Sequence, residues 1–385
     1  MAEPLEDPGI GRVLILTSSM GAGHDGVSKE LAGRLEARGY RCTLMDMVEV
    51  LPWGFGKMMR AFYSAVIRWM PSVYGRIYRV WIQPPGGSRA SMSPVTSLLG
   101  KQIDRWVREN RPCAVVSTFH VCTQAAGMLK ERGSVCIPLV NVIVDFAVHG
   151  LWVHPEVDLH LCLHMAGEAG VRRELDRLSA KEEGIRVVAA GPVVRQEFRE
   201  GPADRFDERR SIGIAETDCA VLAVGGSWGA GELVRTVRSI LSLPQFTPVV
   251  VCGSNRLLRW RISRLCARAA RGKALGWIDD MAGLMRAADV LVENAGGLSA
   301  MEAAASLLPI VSFRPIPGHG AANVEAMAEA GVGAYPRSEE EFGDVLRELS
   351  IAGARREMQV AAAAAMFRAE PADEIVALIE GIDGP

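Results

Sequence analysis

The chain has 385 residues, 49% apolar and 23% charged, which describes a folded protein with room for two or three cores rather than a disordered one. Its net charge of −2 gives no global basic field, so nucleic acid is excluded as the expected partner. Eight cysteines without a C-x-x-C pair, no apolar run of eighteen residues and an acidic, Pro/Gly-rich start, "MAEPLEDPGIG", point away from a disulfide framework, a membrane span and a signal peptide, and toward buried thiols in a reducing cytoplasm.

In chain order, Val13 to Thr17 read as a buried strand, followed by a Gly-rich turn and a helix whose Val27, Leu31 and Leu35 share one face. Gly39 ends that helix and "RCTLMDM" forms a second strand, so the opening is a βαβ unit with a parallel sheet. The turn carries Gly21, Gly23 and Gly26 in G-x-G-x-x-G order, with Asp46 twenty residues further on. That is the spacing of a dinucleotide-binding turn. Yet His24 stands where a pyrophosphate would sit.

Between Val50 and Ile103 the chain has seven Lys/Arg, no Asp or Glu, and eight aromatic residues, among them Trp53, Phe62, Trp69, Tyr74, Tyr78 and Trp81. Basic residues mixed with aromatics describe a surface lying on an anionic bilayer. The plainer alternative is a helical pair packed on its domain, with buried aromatics and solvated cations. Further strands are expected over 113–119, 138–145, 158–164 and 186–192. In "DLHLCLH" alternation puts His160, Cys162 and His164 on one face. With no matching cluster elsewhere, a metal site is not expected there.

Residues 196–206, inside "PVVRQEFREGPADRFDERR", break the pattern as a linker between a first domain, 1–195, and a second, 207–365; residues 366–385 form a terminal helix able to pack back on the first domain. The second domain restarts the strand–turn–helix alternation with "CAVLAVGGSWGAGELV", "TPVVVCGS", "KALGWI", "ADVLVENAGG" and "LPIVSF". The class is α/β, with two Rossmann-like domains facing a cleft at the carboxyl ends of their strands. The loop "GGSWGAG" and the turn "ENAGGLSAMEAAA" both suit a phosphate, through close backbone approach and a helix start. The first loop, taken alone, could equally be glycine-rich for steric reasons, and the second turn strengthens the phosphate reading. Ser299 and Glu302 read as a capping box or, alternatively, as a carboxylate for ribose hydroxyls.

The stretch "GWIDDMAGLMRAADVLVENAGGLSAMEAAASLLPIVSFRPIPGHGAAN" resembles the donor half of glycosyltransferases with the two-domain B architecture. Together with "LILTSSMGAGH", "VVSTFHVCTQAAG", "VNVIVDFAVHGLWVHPEVDLHLCL" and "AAGPVVRQEF", it is similar to the monogalactosyldiacylglycerol synthases and bacterial diacylglycerol glucosyltransferases, which are related to the N-acetylglucosaminyltransferase that completes the peptidoglycan lipid precursor. The resemblance implies that Gly226, Ser227, Trp228 and Gly229, with Gly296, Gly297, Leu298 and Ser299, hold a donor diphosphate. It implies that the Ile278 backbone meets uracil, that Glu302 binds ribose and that Asn323 is a polar cleft residue. The family often has Lys-Pro-Gly-Gly where this chain has Asn294-Ala295-Gly296-Gly297, and Pro-Gly-Gln-Glu where it has Pro317-Gly318-His319-Gly320. A cationic contact is therefore missing, and a protonated His319 is the candidate replacement.

The same resemblance turns the first loop toward the acceptor, with Gly21, Gly23, His120 and His149 on that side and Asp46 reduced to a strand end. No D-x-D motif occurs, so amides and helix dipoles take the place of a divalent ion. The reading is an inverting, metal-independent transfer of a hexose from a UDP-sugar, with no other cofactor, to a lipid hydroxyl, by a cytoplasmic protein peripheral to the inner membrane face. His24 and Asp145 are the candidate catalytic pair, with the choice of base open. The alternatives are a tailoring enzyme for a soluble natural product, a sugar-nucleotide epimerase, and a membrane-docked sugar-nucleotide sensor.

Overall fold

Strands that read as unbroken branched apolar runs belong to parallel sheets covered on both faces, and the computed structural model, which describes residues 11–82, 93–180, 184–200 and 205–381, contains two of them. The first sheet comprises β1 Arg12–Thr17, β2 Arg41–Asp46, β3 Ala114–Ser117, β4 Leu139–Val142, β5 Leu159–Cys162 and β6 Arg186–Ala189, in the order β2-β1-β3-β4-β5-β6. The second comprises β7 Cys219–Val224, β8 Phe246–Val251, β9 Lys273–Leu275, β10 Val290–Glu293 and β11 Ile310–Ser312, in the order β11-β10-β7-β8-β9. Every pairing within them is parallel.

In β1, Val13 and Ile15 pack with Val27, Leu31 and Leu35 of the helix Ala22–Glu36. Leu14 and Leu16 face the other way, toward Leu99, Ile103 and Ala125. All four are fully buried, and each buried leucine or isoleucine contributes roughly 1.5–3 kcal/mol of transfer free energy.

Several expected strands end early. β4 stops at Val142, so Asp145 lies in the loop beyond it. β5 stops at Cys162, and His164 is not its last residue but the N-cap of the helix Met165–Arg177, accepting from the Gly167 amide at 3.3 Å. "MAGEAGVRREL" sets a helical period that overrides the two-residue alternation. Of the eight cysteines, all free, only Cys122, Cys162, Cys252 and Cys266 are buried, and Cys136 is exposed.

The basic aromatic segment folds as helices Phe55–Trp69 and Pro71–Ile77, a π-helical turn Tyr78–Ile82, and helix Ser93–Asn110. Residues 83–92 of the segment, and the Trp81 side chain, lie outside the described residues. Residues 55–82, here called the strap, are two-faced. Val66, Ile67, Tyr74 and Tyr78 are buried against Ala230 and Ile316 of the second domain, while Trp53 just before them and Met58, Phe62, Trp69, Met70, Val73 and Val80 point to solvent. The reading of buried aromatics packed on the protein holds for the inner face, and the outer face leaves large apolar side chains exposed. No helix among the described residues is long and apolar enough to cross a membrane.

Of the expected linker, Gln196–Phe198 is a single 3₁₀ turn, residues 201–204 lie outside the described residues, and a helix, Arg205–Ser211, begins before the linker ends. The last helix, Pro371–Glu380, lies on the first domain, where Arg34 pairs with Glu370 at 2.9 Å, Arg38 with Asp373 at 2.6 Å and Arg186 with Glu374 at 2.6 Å.

Candidate active site

A parallel sheet opens a crevice where its strand order reverses. Here the reversals fall between β1 and β3 in the first sheet and between β7 and β10 in the second. The loops leaving those four strands line one cavity of about 460 Å³. Gly21, Gly23, His24, His120, Asp145 and His149 reach it from the first domain; Gly226, Ser227, Trp228, Gly297, Leu298, Ser299, His319 and Asn323 reach it from the second. Met47, Met59, Tyr63 and Phe119, which belong to one apolar cluster, make part of the lining apolar.

His24 bridges the first reversal. Its Nδ1 lies 2.9 Å from the Thr118 carbonyl after β3, and the ring meets Phe119 edge to face at 5.0 Å. A carbonyl only accepts, so Nδ1 carries the proton and donates, leaving the Nε2 lone pair free. Burial lowers the imidazole below its usual range, opposed by the charge of Asp145. A neutral imidazole with a free Nε2 can take a proton.

Asp145 is held more tightly. Its Oδ2 accepts from Trp152 Nε1 at 2.9 Å and its Oδ1 from Asn323 Nδ2 at 3.0 Å. Asn323 Oδ1 in turn accepts from the Ala147 amide at 2.9 Å, so Asn323 ties the two domains together across the cleft. With an N–H on each oxygen, this carboxylate suits a fixed charge better than a proton shuttle. It favours the charged forms of His24, His149 and His319 alike.

His120 and His149 stand 5.2 Å apart, ring to ring, and both Nδ1 atoms are buried without a hydrogen-bond partner among the described residues. Burial holds His149 down at about 4, and it lowers His120 as well. His319 is also lowered by burial, so a standing positive charge in place of the missing lysine does not fit its surroundings. Despite the gathering of imidazoles, no group of three His, Cys, Asp or Glu among the described residues is arranged to hold a metal ion.

The donor side departs from expectation in three ways. Ser299 caps nothing: the N-cap of helix Leu298–Ala305 is Gly297, without a side-chain hydrogen bond, so the capping box is absent. The helix after "GGSWGAG" starts only at Leu233, and the amides of Gly229 and Ala230 already donate to Gly226 and Gly225 carbonyls at 3.1 and 2.9 Å; that helix start is not at the loop. Glu293, overlooked in the sequence, accepts from the amides of Ala295 and Gly296, each at 2.6 Å, and from the Ser312 hydroxyl. It removes Gly296 from the donors a phosphate could use and leaves the helix start at Gly297, Leu298 and Ser299. Glu293 opens "ENAGG", and an acid directly before a Gly-rich turn is the signal that could have found it.

Glu302 and Ile278 do not line this cavity. Glu302 is 8% exposed, its carboxyl pushed up to about 7 by burial, with Arg195 pulling it down and Glu197 pushing it up. Ile278 is half-buried in the loop after β9.

Gly26 serves packing rather than phosphate. A Cβ there would stand 2.9 Å from Leu298 Cδ2 of the opposite domain; the helix starts of the two domains meet at this point. Asp46 accepts from the amides of Ser19 and Val48 at 3.0 and 2.9 Å and so closes the local turn.

Residues 24–185 match the family described as monogalactosyldiacylglycerol synthase, and residues 220–377 match the glycosyltransferase family 28 C-terminal domain. The chain is 26% identical over 383 residues to a processive diacylglycerol beta-glucosyltransferase of Bacillus cereus (strain AH187), covering 95% of this chain and 92% of the relative. It is 25% identical over 385 residues to the protein of the same name from Bacillus mycoides (strain KBAB4), with the same coverage. Among solved structures it is similar to Acinetobacter baumannii MurG (TM-score 0.58, 16% identity, 97% of this chain and 100% of that one). It is also similar to the glycotransferase of kitacinnamycin (0.59, 17%, 96% and 100%). At these identities the structures show the shared fold.

Proposed function

The chain is a two-domain glycosyltransferase, its halves a monogalactosyldiacylglycerol synthase domain and a family 28 C-terminal domain, and on that premise we propose that it transfers a hexose from a UDP-sugar to the hydroxyl of a lipid acceptor such as diacylglycerol. One observation carries the reading. His24 offers a free Nε2 to a cavity whose opposite wall is built from the Gly-rich turns of the second domain. The relatives' names supply the acceptor class.

In this reading the acceptor hydroxyl enters beside the apolar part of the lining, and its acyl chains rest against Met47, Met59 and Phe119. His24 Nε2 takes the hydroxyl proton as the oxygen bonds to the anomeric carbon. The bond from that carbon to the diphosphate breaks, and its electron pair leaves on the phosphate oxygen. Attack from the face opposite the leaving group inverts the anomeric centre. Asp145 stabilises the imidazolium that forms, while the amides at Gly297, Leu298 and Ser299 and the loop from Gly226 to Trp228 receive the diphosphate charge. These donors do the work a divalent ion does in other transferases.

The strap supplies a docking face. Trp53, Phe62 and Trp69 are 96%, 61% and 74% exposed, beside exposed Lys57, Arg60, Arg68, Arg76 and Arg79. Each cation near an anionic leaflet contributes roughly 1 kcal/mol, which supports reversible attachment to the cytoplasmic face of a membrane. The test is incubation of the purified protein with UDP-glucose or UDP-galactose and phosphatidylglycerol vesicles containing diacylglycerol. A glycolipid of inverted configuration, formed in EDTA and lost in His24→Ala, is the expected result. Free hexose without glycolipid would refute the reading.

A further inference from the structure

The strap and the donor-side turn Pro317–Gly320 belong to different domains, yet they meet through a built contact. The Tyr74 hydroxyl lies 2.8 Å from His319 Nδ1 and 3.4 Å from the Tyr63 hydroxyl. The rings of Tyr74 and Tyr78 flank the imidazole at 5.5 and 6.3 Å. Both sides use glycine to come this close: a Cβ on Gly75 would stand 2.8 Å from Pro317 Cβ, and one on Gly318 2.9 Å from Tyr78 Cβ. Gly318 also holds φ at +89°, a conformation side chains rarely adopt. Both Tyr74 and His319 line the cavity.

We propose that Tyr74 is a positioning residue for the donor sugar, reaching from the first domain across the cleft to orient His319 toward the transferred hexose. The inference rests on the reading of the cleft as a sugar-nucleotide site. The phenol is the stronger acid of the pair, so Tyr74 donates and Nδ1 accepts, with Tyr63 placed to donate to Tyr74 in turn. A neutral imidazole has one N–H; fixing Nδ1 as acceptor makes Nε2 the donor. Nε2 has no protein partner among the described residues, and it is the atom left to meet a sugar hydroxyl. A chain of three groups on two domains thus sets which way one hydrogen bond points. Sugar recognition then depends on a seated strap, whereas recognition of the nucleotide does not.

The experiment titrates UDP and UDP-glucose, by calorimetry, into the full-length protein and into Tyr74→Phe, His319→Ala, the double variant and Tyr78→Phe. Tyr74→Phe keeps the ring and its packing and removes only the hydroxyl. The expected result is UDP affinity unchanged in all five proteins, with UDP-glucose weakened about fivefold to tenfold in Tyr74→Phe. The loss should be similar in His319→Ala, no larger in the double variant, and absent in Tyr78→Phe. In turnover, KM for UDP-glucose rises while kcat changes less. Equal UDP-glucose affinity in Tyr74→Phe and wild type would overturn the proposal, as would losses that multiply in the double variant or a matching loss of UDP affinity. Failure of the wild-type protein to bind UDP at all would instead sink the proposed function.

Discussion

Replacing Glu302 by glutamine separates the energetics of the empty protein from those of the bound one. In the folded chain the carboxyl is pushed up to about 7 from an ordinary 4.5, first by burial, then by Glu197, against the pull of Arg195. The unfolded chain releases this proton near its ordinary value, and the folded chain near 7. As pH rises from about 4.5 through about 7 the folded state is therefore progressively destabilised, and above 7 the full cost stays. A difference of about 2.5 units corresponds to about 3 kcal/mol at 1.36 kcal/mol per unit. Glutamine escapes that cost. Calorimetry should show Glu302→Gln melting roughly 5–10 °C above wild type at pH 8 and level with it at pH 4.5. If the carboxylate receives the ribose hydroxyls, the same variant binds UDP about 10- to 100-fold more weakly at pH 8, because charged acceptors hold such bonds best. Saturating UDP should then shrink the gap in melting temperature. A variant no more stable than wild type at pH 8 would refute the burial argument, and one that binds UDP equally well would remove Glu302 from the nucleotide site.

His24→Ala should lower turnover by about 10²–10⁴-fold with UDP affinity within about twofold of wild type, read by calorimetry; a matching fall in UDP affinity would mean the histidine shapes the cleft rather than the chemistry. Burial lowers the His24 pKa and Asp145 opposes this, so the acid limb of kcat/KM should lie below the ordinary histidine range and move to lower pH in Asp145→Asn; an unmoved limb would disconnect the two residues. Asn323→Ala removes the bonds to Asp145 and Ala147 and should raise the fluctuation between domains, seen as faster proteolysis near residues 196–206 that UDP suppresses. Trp53→Ser with Trp69→Ser should weaken binding to phosphatidylglycerol vesicles by about tenfold or more without changing UDP binding; unaltered sedimentation with vesicles would rule out the strap as the docking face.

Much of the architecture was legible because a parallel sheet buried on both faces writes its strands as unbroken apolar runs, and β1, β7 and β8 were visible for that reason. Legibility failed where two local signals overlapped, as at His164, where strand alternation ran straight into a helix start. Within the site, His24 announced itself as a titratable residue in a Gly-rich turn. The bonds that give it meaning did not. Thr118 lies 94 positions away, Asn323 lies 178 from Asp145, and His319 lies 245 from Tyr74; separations of that kind leave no periodic trace. Gly26 shows the same gap. Its spacing matched a nucleotide turn, while its reason is Leu298 on another domain. Glu293 lies within local reach of the sequence, since an acid directly before a Gly-rich turn can accept that turn's own amides.

The return of Pro371–Glu380 to the first domain has a consequence for how the protein is made. Ala372 and Ile375 are fully buried; Arg38 and Arg186 pair with acids on that helix, and Arg34, already paired with Glu30, gains Glu370 beside it. Translation must therefore pass residue 380 before the domain encoded earlier in this chain is complete. Until then the nascent first domain leaves an apolar seat open beside unmatched arginines. A chain cut just before Pro371 would lose part of the core of the domain encoded earlier.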